Sequence, residues 1–135
     1  AAAIEAAQAT EFVDKLPEWT DYHIAQLGRN VSGGQKQRLA IARALARGAE
    51  ILMFDDSFSA LDYKTDAALR GELSRRFADT TKVIVAQRIS SIRHADEIIV
   101  LDRGEAVGIG THDELMKTST IYREVYDSQQ KGAEE

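Results

Sequence analysis

The chain has 135 residues, enough for one domain that buries about two-thirds of its unfolded surface. Hydrophobic residues make up 44% and charged residues 29%, which excludes collagen-like, disordered and low-complexity chains. Lys plus Arg total 17 against 22 Asp plus Glu, a net charge of −5 that speaks against a nucleic-acid partner. With no cysteine the chain can build no disulfide, thiolate nucleophile or zinc-thiolate centre. No apolar run approaches the roughly 20 residues a bilayer span needs, and no secretory leader pattern opens the chain. A membrane role is therefore expected to come through a partner.

In chain order, Ala1 to Leu16 reads as an Ala-rich helix, with Ile4, Ala7, Phe12, Val13 and Leu16 near helical spacing and Pro17 as its stop. Residues 18–30 are polar and irregular and carry the single Trp, Trp19, expected to pack in a helical subdomain. Ser32-Gly33-Gly34 reads as a loop entering a strong helix from Gln35 to Arg47, with an apolar stripe of Leu39, Ala42, Leu45 and Ala46 and Gly48 as C-cap. Its basic residues, Lys36, Arg38, Arg43 and Arg47, read as a solvated face. Ile51 to Phe54 is a continuous apolar run, a strand pattern suited to cover on both faces. A helix is predicted from Asp62, as N-cap, to Phe77. A short strand follows over Lys82 to Ala86, and then a helical turn capped by Ser90 or Ser91. Glu97 to Leu101 and Glu105 to Ile109 flank Asp102-Arg103-Gly104 as a hairpin. Thr111 and Glu114 fit a capping box for a last helix running to about Gln129, with residues 130–135 fraying. Strand and helix alternate, so the fold class is α/β with a mainly parallel sheet.

Two features carry chemistry. In Ser32-Gly33-Gly34-Gln35 the glycines let a ligand approach the backbone, and the following helix aims unpaired N–H groups and a positive dipole end at the same spot. The same residues also suit a plain Ser N-cap with a Gly-Gly turn. Asp55 and Asp56 close an apolar strand, where open α/β sheets bind ligands and where Mg²⁺ with a phosphate is the natural partner. The other reading is a pair of strand-terminal acids, one closing a turn with Ser57 or Ser59. His23 and His112 read as surface or capping residues.

Together these features resemble a known family. Val31-Ser32-Gly33-Gly34-Gln35-Lys36-Gln37-Arg38-Leu39-Ala40-Ile41-Ala42-Arg43-Ala44-Leu45 is similar to the signature motif of ABC-type ATPases. Ile51 to Asp56 resembles their Walker B strand, Ser59-Ala60-Leu61-Asp62 their D-loop, and Val85-Ala86-Gln87-Arg88 lies where the switch motif belongs. Ala95 to Glu105 and Gly110 to Leu115 resemble the C-terminal continuation in bacterial multidrug and lipid exporters. No Gly-x-x-x-x-Gly-Lys-Ser/Thr phosphate loop occurs in the sequence. The resemblance therefore implies the C-terminal part of a nucleotide-binding domain, a partial P-loop NTPase fold. Residues 1–47 would form part of the helical signature subdomain and residues 48–135 the Walker B, D-loop, switch and C-terminal region. Strand faces and edges that the absent strands would cover are expected to be bare.

The resemblance also implies roles. Ser32, Gly33, Gly34 and Gln35 would contact the γ-phosphate of an ATP held by a second nucleotide-binding domain, in a head-to-tail dimer. Asp55 would hold Mg²⁺ through water, and Ser59, Ala60, Leu61 and Asp62 would lie at the dimer interface. Asp56 occupies the position where competent members have the general base Glu, with a side chain one methylene shorter. Gln87 replaces the switch His and cannot carry its positive charge. Both changes imply a degenerate catalytic site beside an intact signature, as in one half of a heterodimeric exporter. Such a chain would be docked to a transmembrane domain on the cytoplasmic side of a bacterial inner membrane. The alternatives are an inert or structural fragment that binds no nucleotide, and an ABC ATPase outside transport.

Overall fold

The computed structural model describes residues 1–131, and the chain divides into two compact units, Ala1–Val85 and Ala86–Glu135. The first unit is built on a parallel two-stranded sheet. Strand β1 (Ile51–Asp55) pairs with β2 (Thr81–Val85) in register from Ile51 opposite Thr81 to Asp55 opposite Val85. Helices α1 (Ala2–Ala6), α2 (Thr10–Val13), α3 (Gly33–Leu45) and α4 (Tyr63–Arg76) complete the unit, with 3₁₀ turns at Trp19–Asp21 and Gln26–Gly28. Leu52 and Phe54 from β1, Ile41 and Leu45 from α3, and Leu69 and Leu73 from α4 share one core with Ala6, Ala7 and Ala9. Each such aliphatic side chain contributes on the order of 2 kcal/mol by leaving water. The apolar run of β1 is not covered on both faces. Burial alternates along it, and Met53 is 72% exposed.

The expected first helix is broken in two. Gln8 adopts φ 57°, and the amides of Ala9 and Gln8 return to the carbonyls of Ile4 and Glu5 at 2.9 Å each. That pair of bonds is a Schellman ending, which no glycine in the sequence announces. Tertiary contact fixes it: Ala7 and Ala9 are fully buried, and Arg38 Nη1 donates to the Gln8 carbonyl at 2.7 Å. Trp19 also departs from expectation. It is 49% exposed, sits at φ 50°, and its indole donates to Asp14 Oδ1 at 3.0 Å.

The second unit is a hairpin and three helices. Strands β3 (Ile98–Asp102) and β4 (Glu105–Gly110) pair antiparallel around Arg103-Gly104, with φ 48° and 84°. Positive φ at both positions is the type I′ pattern that matches strand twist. Ser90 and Ser91 do not cap the preceding turn. They lie inside helix α5 (Ile89–Ile92), whose N-cap is Arg88. The last helix is two helices, α6 (His112–Thr118) and α7 (Thr120–Lys131). Ser119 between them is extended and buried, and its hydroxyl accepts the Tyr122 amide at 3.2 Å, so it ends one helix and starts the next. Residues 132–135, the end of the expected frayed tail, lie outside the described residues. Leu115, Tyr122, Ile89 and Ile98 form this unit's core, and His112 Nδ1 meets the Tyr122 hydroxyl at 2.9 Å. No helix of the described residues is long and apolar enough to cross a membrane.

Both sequence-predicted acidic caps are present. Asp62 accepts from the Thr65 amide at 2.9 Å and from its hydroxyl at 2.7 Å, which holds its carboxyl below the ordinary value of 3.8. Glu114 is held below 4.5 by bonds from the amide and hydroxyl of Thr111. Because both values are depressed on folding, the stabilisation is fully present above the unfolded values and is lost as pH falls through the lower folded ones. Asp62→Asn, which keeps an accepting oxygen, should therefore flatten the acid limb of the thermal midpoint measured against pH, while leaving the neutral midpoint nearly unchanged. An unaltered acid limb would show that the cap carries no pH dependence.

Candidate functional site

The first turn of α3 begins at Ser32, not after the glycines as the sequence suggests. Ser32 is extended and its hydroxyl accepts the Gln35 amide at 3.2 Å, while Gln35 Oε1 accepts the Ser32 amide at 2.9 Å. This reciprocal capping box draws Gly33 and Gly34 into the helix. Lys36 N opens the helical ladder on the Ser32 carbonyl at 2.8 Å. The amides of Gly33 and Gly34 have no hydrogen-bond partner among the described residues, and Ser32 and Gly33 are exposed. At the other end the helix stops at Leu45, two residues earlier than expected, and Gly48 follows in the left-handed region at φ 62°.

The two glycines differ in what surrounds them. A Cβ on Gly34 would come within 3.1 Å of the Ala60 carbonyl, so the small residue lets α3 pack on the 56–62 turn. A Cβ on Gly33 would meet only Ala60 Cβ at 3.9 Å, an ordinary contact. The chain's own packing does not require glycine at 33, although glycine in a helix costs about 1 kcal/mol relative to alanine.

Asp55 is the last residue of β1 and Asp56 the next, both exposed. Neither carboxylate has a hydrogen-bond or ion-pair partner among the described residues. Ser57 and Ser59 bond instead to the backbone carbonyls of Asp55 and Asp56, at 3.4 and 3.0 Å. Asp56 sits at φ 48°, a conformation Asp tolerates better than most residues. A cleft of about 230 Å³ runs beside the strand end, lined by Gln37, Ala40, Ala44, Met53, Asp55 and Asp56. In the following turn Ser59 and Ala60 are exposed, Leu61 turns into the core, and Asp62 caps α4. Gln87 lies in the second unit, exposed, just ahead of α5.

One residue organises this half of the site and was not legible in the sequence. Gln37, one turn into α3, donates to Ser59 Oγ at 3.0 Å and to the Asp56 carbonyl at 3.4 Å, and accepts the Ala60 amide at 3.0 Å. It thereby fastens the glycine-bearing helix to the turn that follows the two carboxylates. Its partners are 19 to 23 residues away, beyond any helical or strand period. Gln37→Leu keeps the volume and removes all three bonds. It should speed hydrogen exchange at the Ala60 amide about fivefold, the worth of one net hydrogen bond. Gln37→Glu keeps the acceptor and should restore protection. Equal exchange in all three proteins would mean the clamp does not hold the turn.

The ABC transporter family matches residues 3–59. The chain is 43% identical over 131 residues to the ATP-dependent lipid A-core flippase of Haemophilus influenzae strain 86-028NP, covering 97% of the chain and 22% of that protein. It is 41% identical over 127 residues to the flippase of the same name from Xanthomonas campestris pv. campestris strain 8004, covering 94% of the chain and 22% of that protein. Among solved structures, a bacterial Atm1-family ABC exporter with ATP bound matches 95% of the chain and 23% of its own, at TM-score 0.90 and 35% identity. The chain spans about a fifth of the length of these relatives. Sequence and fold together make the chain similar to part of the nucleotide-binding domain of ABC transporters.

Proposed function

We propose that this chain belongs to an ATP-binding subunit of an ABC exporter and that its signature turn, Ser32 to Gln35, faces the γ-phosphate of an ATP held by a second nucleotide-binding domain. The observation that carries the reading is the tip of α3, where two adjacent free amides sit at an exposed, rigidly capped helix start beside a glycine the fold itself does not need. A closely approaching anion accounts for that glycine. Resemblance to lipid A-core flippases supports a lipid-exporting parent, a transmembrane domain beside the ATP-binding domain, and a place on the cytoplasmic side of a bacterial inner membrane. In this reading residues 1–47 serve as the signature region and residues 48–135 as the Walker B, D-loop, switch and C-terminal region.

Mg²⁺ fits the residues present in part. The two unpaired carboxylates offer hard oxygen donors, and no group of three or more His, Cys, Asp or Glu among the described residues could hold a metal by itself. A cation held by one carboxylate, water and phosphate oxygens would ask for no more than one of these two side chains. Asp55 would take that role, and the ion would neutralise phosphate charge. Asp56, with its shorter side chain, stands in the general-base position, and Gln87 would reach the γ-phosphate without a charge to offer. The chain's own site is thereby weakened, and its partner in a heterodimer supplies the competent one, to which Ser32, Gly33, Gly34 and Gln35 contribute across the interface. Ser59, Ala60, Leu61 and Asp62 form the turn lying along that interface.

Ser32→Arg in the full transporter places a long side chain where the phosphate sits, and should lower ATP turnover at least a hundredfold with folding intact by circular dichroism. Turnover within a few-fold of wild type would remove the trans role. With the partner's competent site inactivated, Asp56→Glu combined with Gln87→His should raise steady-state ATP hydrolysis about a hundredfold or more, in the range usual for general-base catalysis. Unchanged hydrolysis would count against the weakened-site reading and would favour a fully competent ATPase.

A further inference from the structure

In the second unit, helix α7 sends a glutamine onto the segment that leads into α5. Gln129 Nε2 donates to the Gln87 carbonyl at 2.7 Å, and Gln129 Oε1 accepts the Ile89 amide at 2.9 Å. The side-chain amide thus pairs with one acceptor and one donor two residues apart, as the edge of a neighbouring strand would. Both partners are backbone groups, so the clamp holds whatever side chain stands at 87. It also fills a need. The N-cap of α5, Arg88, makes no side-chain cap bond, and the Ile89 amide belongs to a first turn that no helical carbonyl can satisfy. Just beyond the clamp the Ile89 side chain is buried in the core with Ile98, Leu115 and Tyr122. The residue-87 backbone is therefore pinned to α7 from one side and anchored to the core from the other.

We propose that Gln129 is a positioning residue for the switch segment: by fixing the backbone at 87 and 89 it sets the direction in which the residue-87 side chain leaves the chain, and it ties that direction to the seating of α7. The inference rests on the reading of residue 87 as the γ-phosphate-facing position. Coupling of this kind is reciprocal. A displacement of α7 alters the switch, and a phosphate engaged by residue 87 alters the stability of α7 docking.

The test uses the full transporter. In Gln129→Ala, hydrogen exchange at the Ile89 amide without nucleotide should quicken about five- to tenfold, while exchange in β3 and β4 stays within about twofold. Gln129→Glu keeps the acceptor for Ile89 and should retain its protection. In the Asp56→Glu/Gln87→His background with the partner's own site inactivated, Gln129→Ala should lower kcat for ATP about fivefold or more with KM within about twofold, as loss of an interaction felt at the reacting centre does. Unchanged Ile89 exchange overturns the clamp, and faster exchange with unchanged kcat overturns the positioning role. Failure of the background itself to gain turnover over the parent, seen before any change at 129, is instead a failure of the weakened-site reading. The exchange measurement needs no nucleotide and decides the clamp in that case too.

Discussion

The capping box at Ser32 and Gln35 is the constraint on which the site depends. A helix start has four amides without helical partners. Here the box consumes the Ser32 and Gln35 donors internally, leaving the adjacent Gly33 and Gly34 amides outward. The same bonds that stabilise α3 also decide which donors remain, and they fix their direction. The cap reading of Ser-Gly-Gly-Gln is what the geometry shows, and that geometry leaves room for the proposed anion-binding role rather than competing with it.

Rigidity at that tip is carried further by Gln37, whose three bonds make α3 and the 56–60 turn a single body. Gly34 permits the close approach, with the Ala60 carbonyl 3.1 Å from where a Cβ would stand. Within the first unit the start of α3 and the turn that follows the strand-end carboxylates are therefore tied to each other. Gln129 fastens residue 87 in the second unit by the same device, a primary amide spanning a donor and an acceptor of a short irregular segment. Such segments lack ladder partners of their own, and a side-chain amide offers a donor and an acceptor on two separate atoms at once.

Much of the fold was legible where the signal is local. The Asp62 cap, the Thr111–Glu114 box and the hairpin turn each lie within four residues and were read from residue type alone, although the turn read as Asp102-Arg103-Gly104 is Arg103-Gly104, with Asp102 paired in β3. The breaks at Gln8 and Ser119 were not: the first is imposed from elsewhere in the fold, and the second rests on a local serine cap inside an otherwise helical pattern. Arg38 reaches back to the Gln8 carbonyl across 30 residues, and the core draws in Ala7 and Ala9. Trp19, expected to pack in a helical subdomain, is half exposed and bonds to Asp14. The candidate site divides the same way. Its chemically reactive residues were visible as motifs, and its two organising glutamines were not, since a glutamine in a helix carries no mark of a partner 20 or 40 positions distant.

Magnitudes say what the exposed tip can and cannot do. An anion at a solvent-exposed helix start gains about 0.3–1 kcal/mol, rising to about 2 when partly buried, and salt screens it. Two amides on an open surface are thus far short of holding a nucleotide, which at micromolar affinity needs about 8 kcal/mol. The tip becomes effective only when an opposing surface excludes water and brings the phosphate within bonding distance, where the local dielectric falls and each charge-assisted bond strengthens. In the proposed role the tip would serve discrimination rather than affinity. A terminal phosphate held by a second domain would complete the two bonds and favour association, and its loss would remove them. A helix tip with two free amides, mounted on a rigid body, can in this way make association depend on a single phosphate without itself performing the hydrolysis.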